Sequence, residues 1–139
     1  MDEADVERIL AHPLTLVGSD GLPHDLHPHP RLWGSFPRVL GRYARERSLF
    51  SLEQAVHKMT GLSARRFRLA DRGLVRAGAF ADLVLFDATQ VADRARFDAP
   101  TEAPAGIHAV WVNGQPAVRD GACVDTRAGR LLHRSPVPE

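Results

Sequence analysis

A carboxylate and a run of histidines are the residues of this chain best suited to chemistry. Asp20 stands in Gly18-Ser19-Asp20-Gly21, directly after the short apolar run Leu14–Val17. If that run is a buried strand, the glycines let the backbone turn sharply and bring Asp20 to the strand's C-terminal end. That edge is where α/β barrels collect catalytic groups. A carboxylate there can bind a divalent metal, take a proton from metal-bound water and later give it to a departing amine. The same four residues are also common turn chemistry, so a plain turn stands beside the catalytic reading.

The polar loop that follows, to about Gly34, holds His24, His27 and His29. His27 and His29 form a His-x-His pair, and imidazoles two apart in an extended segment point the same way. Pro28 and Pro30 forbid sheet pairing there, and neither a cysteine nor a second histidine pair lies near. An independent metal site is therefore disfavoured against a histidine-lined loop that borders a pocket. His24 and Arg31 are the candidate substrate contacts, Arg31 because a planar guanidinium grips a carboxylate at two points. Solvent exposure or a loop salt bridge is the competing account of both. Trp33, Phe36 and Trp111 read as core rather than ligand platforms, and His57 and His108 as structural or solvated. Nothing around Cys123 supports a reactive thiolate. Glycine-rich phosphate loops and a nucleophile elbow are absent from the sequence.

The elements that would position these groups follow from periodicity and punctuation. Asp2–Leu10 reads as a helix with acids in its first turn and Val6, Ile9 and Leu10 on one face, stopped by Pro13. Leu14–Val17 reads as a buried strand. Phe36, Val39, Leu40 and Tyr43 recur at helical spacing, with Ser35 as the candidate cap. Ser51 and Gln54 have the spacing of a capping box, opening a helix through Met59 that Gly61 ends. Ser63–Phe67 adds one more turn. From Gly73 the period changes, and Leu74–Arg76, Asp82–Phe86, Ile107–Val112, Gln115–Val118 and Ala122–Val124 are short strand candidates. Asn113-Gly114 and Asp120-Gly121 supply hairpin turns. Residues 91–106 read as a long connection and residues 130–139 as a frayed tail.

Composition bounds the rest. A chain of 139 residues has room for one domain with a real core, whereas a complete (β/α)8 barrel takes about 250. Its 18 Lys+Arg against 17 Asp+Glu leave a formal charge of +1, which gives no pull toward nucleic acid or anionic lipid. No apolar run approaches a membrane span of about 20 residues, and the acidic start is unlike a secretory signal. One cysteine fits a reducing compartment, so a cytoplasmic protein is expected. A wholly apolar strand normally belongs to a parallel sheet, yet Leu14–Val17 has no evident partner. Further chain is therefore expected before residue 1.

Three segments carry a resemblance: GSDGLPHDLHPHPRLWGSFPRVLGRY, LEQAVHKMTGLSARRFRLADRGLVRAGAFADLVLFD and IHAVWVNGQPAV. They resemble the C-terminal end of N-acyl-D-amino-acid deacylases, the D-aminoacylases of the metal-dependent amidohydrolase superfamily. The similarity runs from about Asp2 to Arg134, and its first segment is specific to this subfamily. It implies an α/β plus β fold that is incomplete in itself. Residues 1–72 would be the last strand, the aspartate loop and the closing helices of a (β/α)8 barrel. Residues 73–134 would be strands of a small β-sandwich, and 135–139 a tail. Asp20 matches the family's aspartate after the last barrel strand, which acts near zinc as general base and acid. The histidine loop would border the pocket for a small N-acyl-D-amino acid; within it His24 and Arg31 stay the candidate substrate contacts, Arg31 for the carboxylate by the chemistry of its guanidinium.

The family's own His-x-His, its metal-holding cysteine and its two later metal histidines precede the matching segment. His27 and His29 follow Asp20 and are not that pair. Most zinc ligands are thus expected outside this chain, and the chain alone is expected to be inert. Two other readings stand beside this one. One is a non-catalytic remnant acting as a binding or subunit-interface module, prone to self-association through unpaired strand edges. The other is a small metal protein built on His24, His27 and His29.

Overall fold

The computed structural model of the chain describes residues 2–22 and 24–135. Helix α1 spans Glu3–Ala11, and Pro13 follows its cap His12. Val6 and Leu10 turn toward the core as expected, while Ile9 is exposed. The first-turn acid does more than complement the helix dipole. Glu3 Oε1 accepts hydrogen bonds from Arg42 and from the Tyr43 hydroxyl, at 3.2 to 3.3 Å.

Helix α2 begins at Arg31, five residues before the apolar repeat, and runs to Arg38. Pro30 stands at its entry with φ −58°, a value that proline presets. Ser35, expected as the cap, lies inside the helix and donates to Arg31 O at 2.7 Å. Pro37 has no N–H for the preceding turn, and from Val39 to Glu46 the helix widens to π geometry, as the Arg47 N to Arg42 O bond of 2.8 Å shows. Val39, Leu40 and Tyr43 are buried, but Phe36 is 41% exposed. Phe36 is therefore not core: it stands in the α turn before the change of pitch, whereas the buried Val39, Leu40 and Tyr43 lie in the π segment that follows.

The capping box forms as read. Gln54 N donates to Ser51 Oγ at 3.2 Å and Ser51 N to Gln54 Oε1 at 2.9 Å, opening α3, Leu52–Met59. Gly61 opens α4, Gly61–Phe67, rather than only ending α3. The core is Val39, Leu40, Tyr43, Ala44, Ala55 and Val91, with Val6, Val17, Phe86 and Ile107 packed against it. Residues on both sides of position 72 thus share one cluster.

Strands β1 (Leu83–Phe86), β2 (Ile107–Val112), β3 (Gln115–Arg119) and β4 (Ala122–Cys123) form an antiparallel sheet in that order. Asn113 and Gly114 at φ 50° and 80°, and Asp120 and Gly121 at 51° and 78°, make the tight turns. Two expected strands pair with nothing among the described residues. Leu14–Val17 joins no ladder, and Leu14 is 76% exposed; Leu74–Arg76 is loop. Apolar composition alone makes no strand where no neighbour offers hydrogen bonds. The segment read as frayed is pinned, because Ser135 N donates to Arg68 O at 2.9 Å; from Pro136 onward it lies outside the described residues.

Arg72 ties the loops around this sheet. Its guanidinium pairs with Asp82, donates to Asn113 Oδ1 at 2.6 Å and lies over the Phe80 ring, while Asn113 Nδ2 donates to Ala128 O. Arg72→Met leaves two acceptors without this donor and is expected to cost about 2 kcal/mol in urea unfolding. A loss below about 0.5 kcal/mol would show that water substitutes for the guanidinium.

Lys58, 5% exposed, donates to His12 O at 2.6 Å beside the Phe50 ring, closing the end of α1. Burial lowers its pKa from the ordinary lysine value, since desolvation disfavours the ammonium. Between that lowered value and 10.5 the unfolded chain binds more protons, so this group makes stability rise with pH. The wild type is expected to gain on Lys58→Met as pH is raised from neutral toward about 10, read from urea midpoints. Parallel profiles would count against the assignment.

Candidate active-site loop

The loop residues 18–22 and 24–30 fold back on the first turn of α2. Gly21 makes this approach: a Cβ there would lie 2.3 Å from the Leu32 Cβ. The close contact brings Asp20 beside Arg31, eleven residues on. Arg31 Nε donates to the Asp20 main-chain carbonyl at 2.8 Å, and Nη2 meets the carboxylate Oδ2 at 3.0 Å. The turn differs from the one expected, because the positive φ of 47° falls on Asp20 itself and not on Gly18 or Gly21. Aspartate tolerates this conformation better than most side chains.

Asp20 points into solvent, with its side chain 90% exposed. His24, His27 and Asp25 are exposed too. No hydrogen bond or ion pair among the described residues joins His24 to Asp20. His29 takes a part that its sequence position does not suggest. Its Nδ1 accepts from Arg31 N at 3.1 Å, and its ring meets Phe97 edge-on at 5.0 Å. The loop carrying Phe97 is itself held, since Arg38 pairs with Asp93 and Arg96 with both Asp98 and Glu102. The Arg96 hydrogen bond keeps the Asp98 carboxyl below the usual carboxylate range. Between α2 and this loop lies a cleft of about 370 Å³, lined by His29, Arg31, Arg38, Asp93 and Phe97 among others.

A protein zinc site takes three or more side-chain ligands. Among the described residues no group of three His, Cys, Asp or Glu side chains is gathered. Asp20 is engaged by Arg31, and one nitrogen of His29 is committed to a main-chain N–H. These residues do not fit a complete zinc site on their own, whether around Asp20 or around His24, His27 and His29. The described helices include none long and apolar enough to cross a membrane.

The family profile of the amidohydrolases matches residues 4–118, and the chain belongs to the amidohydrolase family. It is 62% identical over 135 residues to the D-aminoacylase of Alcaligenes xylosoxydans xylosoxydans, a match covering 97% of this chain and 28% of that protein. A crystal structure of D-aminoacylase superposes with a TM-score of 0.94 at 60% identity, covering 96% of this chain and 28% of the other. The N-acyl-D-glutamate deacylase from Bordetella bronchiseptica, solved with zinc and a phosphonate mimic of the tetrahedral intermediate, superposes with a TM-score of 0.83 at 58% identity. That match covers 87% of this chain and 26% of the other. The chain thus spans little more than a quarter of the length of the relatives it matches.

Proposed function

We propose that this chain forms the C-terminal part of a cytoplasmic, zinc-dependent amidohydrolase that cleaves N-acyl-D-amino acids to a carboxylate and a free D-amino acid. The observation that carries the reading is a likeness at 62% identity running through 97% of the chain, the Asp20 loop included. In this reading Leu14–Val17 is the last stave of a (β/α)8 barrel, and the sheet belongs to a small β-sandwich that other chain completes. Exposure supports it. Leu83, Val84 and Leu85 on β1 are 37%, 54% and 54% exposed. Adjacent strand residues face opposite sides, so both sides of β1 are uncovered, as they would be where further chain packs.

Asp20 is the proton carrier of the site. It accepts a proton as water adds to the acyl carbonyl and returns it to the nitrogen as the carbon–nitrogen bond breaks. Arg31 and His24 border the pocket, Arg31 toward the substrate carboxylate. Asp20 would be a ligand to the zinc of the complete enzyme, most of whose metal ligands lie outside this chain.

The test is a hybrid: D-aminoacylase carrying these residues in place of its own matching segment, assayed on N-acyl-D-amino acids. Hydrolysis by the hybrid and none by the isolated chain is the expected result. A folded, zinc-loaded hybrid without hydrolysis would overturn the reading in favour of a non-catalytic interface module.

A further inference from the structure

We propose that Arg31 is a positioning residue for Asp20, holding its main chain and its carboxylate at once and so fixing where the proton-carrying oxygen stands. The inference rests on the reading of Asp20 as that carrier, and it gives Arg31 a task separate from contact with substrate.

The geometry is specific to a guanidinium. Two nitrogens on one edge of the Arg31 fork reach two acceptors of a single residue: the Asp20 carbonyl at 2.8 Å from Nε and the carboxylate at 3.0 Å from Nη2. An ammonium is a point donor and cannot span both with a fixed angle between them. As a surface ion pair the contact would add little to stability. Its effect is orientational, because it ties down both ends of a residue whose φ is 47° and whose side chain is otherwise in solvent.

The anchor is itself built. Pro30 is buried at the entry to α2, His29 Nδ1 accepts from Arg31 N at 3.1 Å, and the His29 ring rests edge-on against Phe97. Gly21 against Leu32 sets the depth at which the loop returns. Phe97, His29, Arg31 and Asp20 therefore form a continuous line of contacts from the 93–102 loop to the carboxylate. A proton carrier must stand within hydrogen-bond reach of its target, and displacement of about 1 Å can cost roughly 100-fold in rate.

Two measurements test this. In the 139-residue chain, heteronuclear NOE values of Ser19–Leu22 are expected to fall in Arg31→Lys and Arg31→Met, with amide shifts elsewhere unchanged. An unaltered loop in both variants overturns the proposal without reference to activity. In the hybrid enzyme, Arg31→Lys keeps the charge and loses the fork. It is expected to lower kcat by roughly 10- to 100-fold on an N-acyl-D-amino acid and on its carboxamide analogue alike, with any further rise in KM on the carboxylate substrate reporting the contact with its carboxylate. A loss confined to the carboxylate substrate and to KM would assign Arg31 to substrate contact alone and overturn positioning. If the unsubstituted hybrid is inert, the deacylase reading fails, and the NOE result still decides whether Arg31 holds the loop.

Discussion

In the hybrid enzyme, Asp20→Asn is expected to lower kcat for N-acyl-D-amino acid hydrolysis by about 100- to 10,000-fold, the range for removal of a general acid–base. Asparagine tolerates a positive φ as aspartate does and keeps an oxygen for Arg31, but it cannot accept and return the proton. Asp20→Ala should fall by at least as much, with some added freedom in the loop. Neither variant is expected to unfold the chain, because the Asp20 side chain is 90% exposed in it and its contact with Arg31 is a surface ion pair. Circular dichroism and urea midpoints within error of the parent, with turnover gone, are the joint signature. Near-normal turnover in Asp20→Asn would remove Asp20 from the chemistry.

The largest expected effect on stability lies far from that loop, at Gly106. Its φ is +71°, and a Cβ there would lie 2.6 Å from Val91 N and 2.8 Å from Val91 Cα. Val91 is fully buried, and Gly106 O accepts from Asp87 N at 2.8 Å, so neither backbone has room to give. Gly106→Ala combines the cost of a left-handed alanine with overpacking against main chain, about 4 kcal/mol together. Gly114 is the control. Its φ is +80° with nothing within 4 Å of the added Cβ, so Gly114→Ala should cost only the conformational part, about 1 kcal/mol. Equal losses at the two positions, read from urea unfolding, would show that the close approach to Val91 carries no weight.

Local signals were readable wherever the interaction they describe is itself local. The Ser51–Gln54 capping box and the Asn113-Gly114 and Asp120-Gly121 turns appear where residue type and spacing put them, and the strands they join fall within one residue of the expected ends. The helix from Glu3 is displaced by a single residue. The chain's family was readable too, in the runs around Asp20, Asp82 and Asn113. Asp82 and Asn113 turn out to be partners of Arg72, a structural use that their strand-turn setting does not reveal.

Other features depend on atoms distant in sequence, and no local pattern encodes those. Leu14–Val17 has the composition of a buried strand, but a strand exists only with a neighbour to share its hydrogen bonds. The helix changes to π geometry two residues after Pro37, and Phe36, in the α turn before that change, stays 41% exposed. Gly21 is needed for contact with Leu32, not for its own torsion. The type and order of residues thus settled the family and the helices and hairpins with local caps, and put Asp20 forward as the proton carrier now proposed. Folding decided that Arg31 would grip Asp20 and that His29 would hold Arg31, because those contacts follow from the loop's path over α2 rather than from spacing along the chain.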